Sequence, residues 1–212
     1  MKTEIICITD GSGSMSGLRG DVVGGFNAFV AEQRAIPGEA RMTLVQFNSG
    51  VNTLYQAKPL GEVATLALDQ YCPMGGTALL DAIGTTLEQQ GKRIAAENWA
   101  EAVIVSITTD GEENSSSHYS LEQVKAMITH AQDKAGWVFV FQAANQDAFL
   151  AGGQYGISAG TTHSFTASAA GVRDSYATMS MSATALRTAA VAGTPLPPLP
   201  DATLGLTPTT TP

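Results

Sequence analysis

Asp10, Ser12 and Ser14 occupy alternate positions in "ITDGSGSMSG" (residues 8–17), directly after an apolar run. A carboxylate followed by hydroxyls at a strand end suits four uses: a turn, a phosphate cradle, a nucleophile or a metal site. Alone, Asp-x-Ser-x-Ser does not choose among them. Two other segments narrow the choice. The stretch "VIVSITTD" ends an apolar run in Asp110, and "PMGGTALLDAI" delivers Thr77 on a glycine-containing loop just before a helical period. In an open parallel sheet, ligands bind beyond the carboxyl ends of the strands, so Asp10 and Asp110 should share one edge. Three loops then offer two carboxylates and three hydroxyls, with no histidine or cysteine among them. Hard oxygen donors select Mg²⁺ or Mn²⁺ over Zn²⁺. So few carboxylates favour a six-coordinate ion that keeps waters and leaves one position open.

The competing chemistries fail on spacing. A nucleophile elbow needs Gly-x-Ser-x-Gly, and neither Ser12 nor Ser14 has glycines two positions away on both sides. No Gly-x-x-x-x-Gly-Lys-Ser/Thr stretch exists, which excludes an ordinary nucleotide P-loop. An aspartyl-phosphate enzyme could use Asp10 as nucleophile, but Asp-Gly-Ser lacks the second carboxylate expected as acid/base.

Placing these loops requires a layered scaffold, and the chain supplies its parts. Ile5 to Ile8, Val103 to Ile107 and Val138 to Phe141 are short, nearly continuous apolar runs, the pattern of central parallel strands covered on both faces. Helical periods lie between them: Val22, Val23, Phe26, Phe29 and Val30; then Leu80, Ile83 and Leu87; then Leu121, Val124, Met127, Ile128 and Ala131. Ser120 and Gln123 form a capping box for the last of these. Met42–Phe47, the Asn48-Ser49-Gly50 turn and Val51–Tyr55 read as a hairpin that adds an antiparallel edge. A later strand is expected at His163–Thr166, followed by a helix with Val172, Tyr176, Met179, Ala183 and Leu186 inward. Alternating strands and helices mean an α/β fold.

Composition agrees and sets limits. With 212 residues, 44% apolar and only 14% charged, the chain is long and apolar enough to bury a substantial single core. A net charge of −8 disfavours a nucleic-acid partner and favours cations or basic protein surfaces. Cys7 and Cys72 make no disulfide framework, which favours a reducing compartment. No stretch approaches the roughly 20 apolar residues of a membrane span, and the first apolar run is too short for a signal peptide. A soluble, cytoplasmic protein is expected, without a membrane partner. The last twenty residues, from Gly193, hold six prolines, so a folded domain over 1–190 and an extended tail over 191–212 are expected.

"DGSGS", "GGT" and "TDG" match, in order and spacing, the three loops of von Willebrand factor A domains that form the metal-ion-dependent adhesion site. The resemblance runs from about Lys2 to about Ala190. It implies a doubly wound, Rossmann-like and mostly parallel sheet of about six strands, with one antiparallel edge strand and helices on both faces. By matching position it implies Ser12, Ser14 and Thr77 as hydroxyl ligands of Mg²⁺, with Mn²⁺ or Ca²⁺ as alternatives. Asp10 and Asp110 would act directly or through waters. An acidic side chain of a partner protein would complete the coordination, in a binding module and not an enzyme. "TDGEEN" and "QAANQDAFLAGGQYGI" look most like short stand-alone members encoded by bacteria and their phages, which would make the protein bacterial or virion-associated. Gly11 stands where many members have a longer side chain, which predicts a smoother rim. A virion or assembly scaffold is the main alternative role. A metal-assisted phosphohydrolase is the lesser one, since no general base or second metal cluster is evident.

Several nearby residues have blander readings. Glu112 and Glu113 read as solvated loop groups, Asp81 as a helix-surface group or one backing the ligands, and Asn145, Gln146 and Asp147 as a turn and helix cap. Trp99 and Trp137 precede strands and should pack the outer layer of the core. His118, His130 and His163 are scattered and receive no role.

Overall fold

A computed structural model of the protein describes residues 1–144 and 148–192, without the side chains of residues 149 and 190–192. The expectations for Asn145, Gln146 and Asp147, and for the tail from Gly193, lie outside the described residues. Six strands form one sheet: β1 (Lys2–Asp10), β2 (Glu39–Phe47), β3 (Val51–Pro59), β4 (Ala102–Thr109), β5 (Val138–Ala144) and β6 (Thr162–Phe165). Their order is β3-β2-β1-β4-β5-β6, with β3 antiparallel to β2 and every other pairing parallel. This is the doubly wound α/β architecture. The chain runs outward from β1 in both directions, so the connections that leave β1 and β4 diverge and open a crevice at their carboxyl ends.

Helices α1 (Arg19–Ala35), α2 (Leu79–Glu97), α3 (Leu121–Ala135), α4 (Ala148–Gln154) and α5 (Ala169–Ala192) cover the sheet. Strand periodicity divides the core in two. Ile5 and Cys7 of β1 face a cluster with Phe26 and Phe29 of α1 and Val172, Met179 and Leu186 of α5. Ile6 and Ile8 face the opposite cluster, with Leu79, Ile83 and Leu87 of α2 and Val124 and Ile128 of α3. Alternate side chains point to opposite faces, so a continuous apolar run is needed wherever both faces are covered. Cys7 is a core residue beside Met42, and burial pushes its thiol up to about 12. Trp137 is buried and stacks near Phe139, while Trp99 is half-buried beneath the Arg41 guanidinium at 4.0 Å.

The helix signals hold at residue level. Ser120 accepts from the Gln123 N–H, and the Gln123 side chain accepts from the Ser120 N–H, closing the capping box of α3. All five inward positions expected for α5 are buried. Helix α4, seven residues rich in Gly and Ala, carries no clear apolar period. No described helix is long and apolar enough to cross a membrane.

Candidate functional site

Asp10 is the last residue of β1 and is fully buried; Asp110 directly follows β4 and is 6% exposed. The parallel register Thr9↔Thr108 sets the two strand ends side by side. From Asp10 the chain turns sharply, because the Ser12 N–H donates to Asp10 Oδ1 at 2.7 Å. A short 3-10 turn, Gly13–Leu18, then leads into α1. That geometry brings Ser12 and Ser14 back over the strand ends. Their hydroxyl oxygens lie 2.9 Å apart, and Ser14 Oγ donates to Asp110 Oδ1 at 2.6 Å. Ser14 has one hydroxyl proton and gives it to Asp110, so Ser12 is the donor to Ser14. Asp10, Ser12, Ser14 and Asp110 are thus joined at the crevice.

Thr77 arrives from a third direction and is buried. The two glycines before it have separate reasons. Gly75 has φ of +69°, a left-handed conformation that side chains rarely adopt. A Cβ on Gly76 would stand 2.1 Å from Ser115 Oγ, so any other residue would push the Ser115 side chain aside. The loop is then pinned by its neighbours. Thr77 N–H donates to Asn114 Oδ1 at 2.8 Å, and Asn114 N–H returns a bond to the Thr77 carbonyl at 3.0 Å. Gly76 N–H donates to Ser49 Oγ, and Ala78 N–H to the Asn48 carbonyl. A Cβ built on Gly111 would lie 3.4 Å from Thr77 Oγ1, which puts that hydroxyl beside the turn after Asp110. All five residues expected at the site therefore converge on one edge.

The electrostatics point to a missing positive charge. Burial raises the Asp10 pKa, and the Asp110 charge raises it further, against the hydrogen bonds from Thr109 and Ser12. Among the described residues, neither aspartate forms an ion pair with any Lys, Arg or His. Buried carboxylates without a counter-charge are costly. Spacing fits a small ion as well: adjacent donors around an octahedral ion at roughly 2.1 Å lie roughly 3 Å apart, near the separation of Ser12 and Ser14. The described residues contain no cluster of three or more His, Cys, Asp or Glu, so an ion held here depends on the hydroxyls. The donor set fits Mg²⁺, Mn²⁺ or Ca²⁺.

Sequence reasoning missed the residues that hold the aspartate. Thr109 Oγ1 donates to Asp10 Oδ2 at 2.6 Å, and the Tyr71 hydroxyl donates to the Asp10 carbonyl. The Thr108-Thr109-Asp110 run was a usable signal for the first, since it ends a strand paired with β1. Nothing local marks Tyr71, sixty-one residues away from its acceptor.

Four earlier readings change. Glu113 is not a solvated loop group: it is half-buried and accepts from the N–H groups of Leu80, Ser115 and Ser116. Asp81 is buried and accepts from the N–H groups of Ser117, His118 and Tyr119 and from His118 Nδ1. His118 therefore has a structural partner after all. Gly11 does not smooth a rim. It is buried, and a Cβ there would sit 2.4 Å from Gln46 Nε2.

No protein-family model matches the sequence, and no curated protein matches it either. Solved structures do. Proximal thread matrix protein 1 from the mussel byssus aligns with a TM-score of 0.62 at 17% identity, over 84% of this chain and 45% of that one. A second structure of that protein, with a zinc-occupied MIDAS motif, gives 0.60 at 18% identity over 84% and 46%. The von Willebrand factor type A from Catenulispora acidiphila gives 0.61 at 16% identity, over 87% of this chain and 43% of that one. This chain spans less than half the length of these proteins. At such identities the likeness establishes the fold alone.

Proposed function

We propose that the von Willebrand factor A fold, which this chain has, here serves a divalent-cation-dependent protein-binding site. The observation that carries the reading is the pair of buried carboxylates, Asp10 and Asp110, without an ion-pair partner among the described residues, meeting the hydroxyls of Ser12 and Ser14 from one loop and of Thr77 from another. Ser12, Ser14 and Thr77 would bind Mg²⁺, or Mn²⁺ or Ca²⁺ in its place. Asp10 and Asp110 would contribute directly or through waters. A bound ion supplies a concentrated positive charge with a coordination position left for an outside anion. The residues of this chain fix where that anion must approach. Ser12 and Ser14 close one side through the turn after β1, and Thr77 closes another from a loop gripped by Asn114 and Asn48. The approach is thus confined to the exposed side of Ser14, and an Asp or Glu on a partner protein has the charge and reach to use it. The hydroxyl–carboxylate contact of Ser14 with Asp110 lies inside the candidate ligand set itself, so binding suits the site better than catalysis. The mussel byssus protein with its zinc-occupied motif supports the choice of a metal site on this fold.

Titration calorimetry with Mg²⁺ and Mn²⁺ tests the site. Binding should be measurable in the natural chain and lost in Asp10→Ala, with circular dichroism unchanged. Equal binding in that variant would move the site elsewhere.

A further inference from the structure

We infer that the partner completing this site carries a lysine or arginine close to its acidic residue, received in a depression between α4 and the loop after Asp110. The inference rests on the cation-dependent reading above. The depression has a volume of about 410 Å³ and shares a wall with the candidate site. Gly111 lines it, follows Asp110 directly, and approaches Thr77 Oγ1. An extended segment advances roughly 3.3 Å per residue. A partner strand with one side chain at the ion therefore passes the mouth of the depression within a few residues.

The lining decides what fits. Leu150, 68% exposed, supplies the apolar surface, with the buried Leu79 and Tyr155 behind it. Glu112 and Glu113 supply charge, but only one of them is available. The Glu113 carboxylate is held by Leu80, Ser115 and Ser116. Glu112 is exposed, and its carboxylate has no hydrogen bond or ion pair among the described residues. A purely apolar occupant would cover Leu150 but desolvate Glu112 without pairing it, which is unfavourable. An acidic occupant would meet Glu112 and the two aspartates of the site. A lysine or arginine answers both surfaces, its aliphatic stem on Leu150 and its charged head at Glu112. A rim pair of this kind adds little affinity and acts mainly on selectivity.

The test immobilises the full chain, selects a displayed library of random peptides in Mg²⁺, and releases the bound fraction with EDTA. Released peptides should share an Asp or Glu, with Lys or Arg enriched about threefold or more at one fixed spacing from it, as selective rim contacts predict. Glu112→Lys, with folding checked by circular dichroism, should turn that second preference acidic while the acidic anchor persists. An acidic anchor without a basic preference, or a preference that ignores Glu112→Lys, overturns this inference and leaves the cation-dependent reading intact. Released peptides that lack any shared acidic residue, or no release by EDTA at all, overturn both.

Discussion

Thr77 and Thr109 both offer a hydroxyl to the same edge, yet they should fail differently when it is removed. Thr109 Oγ1 donates to a fully buried carboxylate, so Thr109→Val leaves Asp10 short of a donor in the apoprotein. A hydrogen bond to a charged group contributes about 1.5–3 kcal/mol, and thermal or denaturant unfolding should show a loss of that order. Thr77 is anchored through its backbone N–H and carbonyl, which Thr77→Ala preserves. That variant should keep its melting temperature within about 2 °C while losing cation affinity about tenfold or more, as expected when one ligand of a hard ion is deleted. Calorimetry and melting curves run on both variants separate the two roles. The convergence of Asp10, Ser12, Ser14, Thr77 and Asp110 on one edge could be read in advance because their types and spacing form a pattern within each segment. Tyr71 and Gly11 could not, because each is explained by a residue that only the folded chain brings near.

At the scale of the element, α2 does not begin on its own terms. Its first residues have no side-chain cap of their own, and their N–H groups are satisfied from the loop after β4: Leu80 by Glu113, and Asp81 by Ser116 Oγ. In return Asp81 collects the N–H groups of Ser117, His118 and Tyr119. Burial works against its ionised form, but the hydrogen bonds from His118, Ser117 and Tyr119 prevail and lower its pKa to about 2. The unfolded chain holds this proton up to about pH 4, the ordinary range for Asp. Between those values the unfolded state binds more protons, so stability rises with pH across the window. The contribution is complete above about pH 4 and lost as pH falls through about 2; its size is on the order of 2 kcal/mol. Asp81→Asn should flatten the dependence of unfolding free energy on pH between 4 and 2, and leave the slope above pH 5 unchanged. The sequence displayed helix α2 through its apolar period, but its cap was illegible, since the partners sit more than thirty residues further along the chain.

For the molecule as a whole, the layered α/β class, the antiparallel edge hairpin and the two-faced core were legible because continuous apolar runs and helical periods alternate along the chain, whereas the strand order was not. The seam between α1 and α5 was less so. Arg187 of α5 is only 2% exposed and donates to the carbonyls of Gln33, Ile36 and Gly38 at the end of α1. A composition rule would have placed an arginine at the surface. It caps the carboxyl end of the helix, sharing the Gln33 carbonyl with the Ile36 N–H. Arg187→Met keeps most of the volume and removes the donors, and should cost about 2–4 kcal/mol of stability. The α1 helix of seventeen residues is about 25 Å long and separates this seam from the site. Cation affinity in Arg187→Met, measured where the variant is fully folded, should therefore match that of the natural chain.

Residues 112–118, "EENSSSH", have the composition of a linker, and a designer or a lineage exploring new loops would choose such a stretch for insertions. The mutual capping of this loop and α2 forbids it. Four glycine-serine residues added after Ser116 would detach the donors of Ser117, His118 and Tyr119 from Asp81 and loosen the start of α2 beside Thr77. The same insert at Asn48-Ser49-Gly50 would disturb a turn that also holds the Thr77 loop, through Ser49 Oγ and the Asn48 carbonyl. By contrast, the turn around Gly136, between α3 and β5, touches neither, and a Cβ there would meet nothing within 4 Å. Inserts at the first two positions should lower the melting temperature by several degrees or more, while an insert beside Gly136 should be far better tolerated. The surface that is free to diversify in this protein lies on the edge away from the loops of the candidate site.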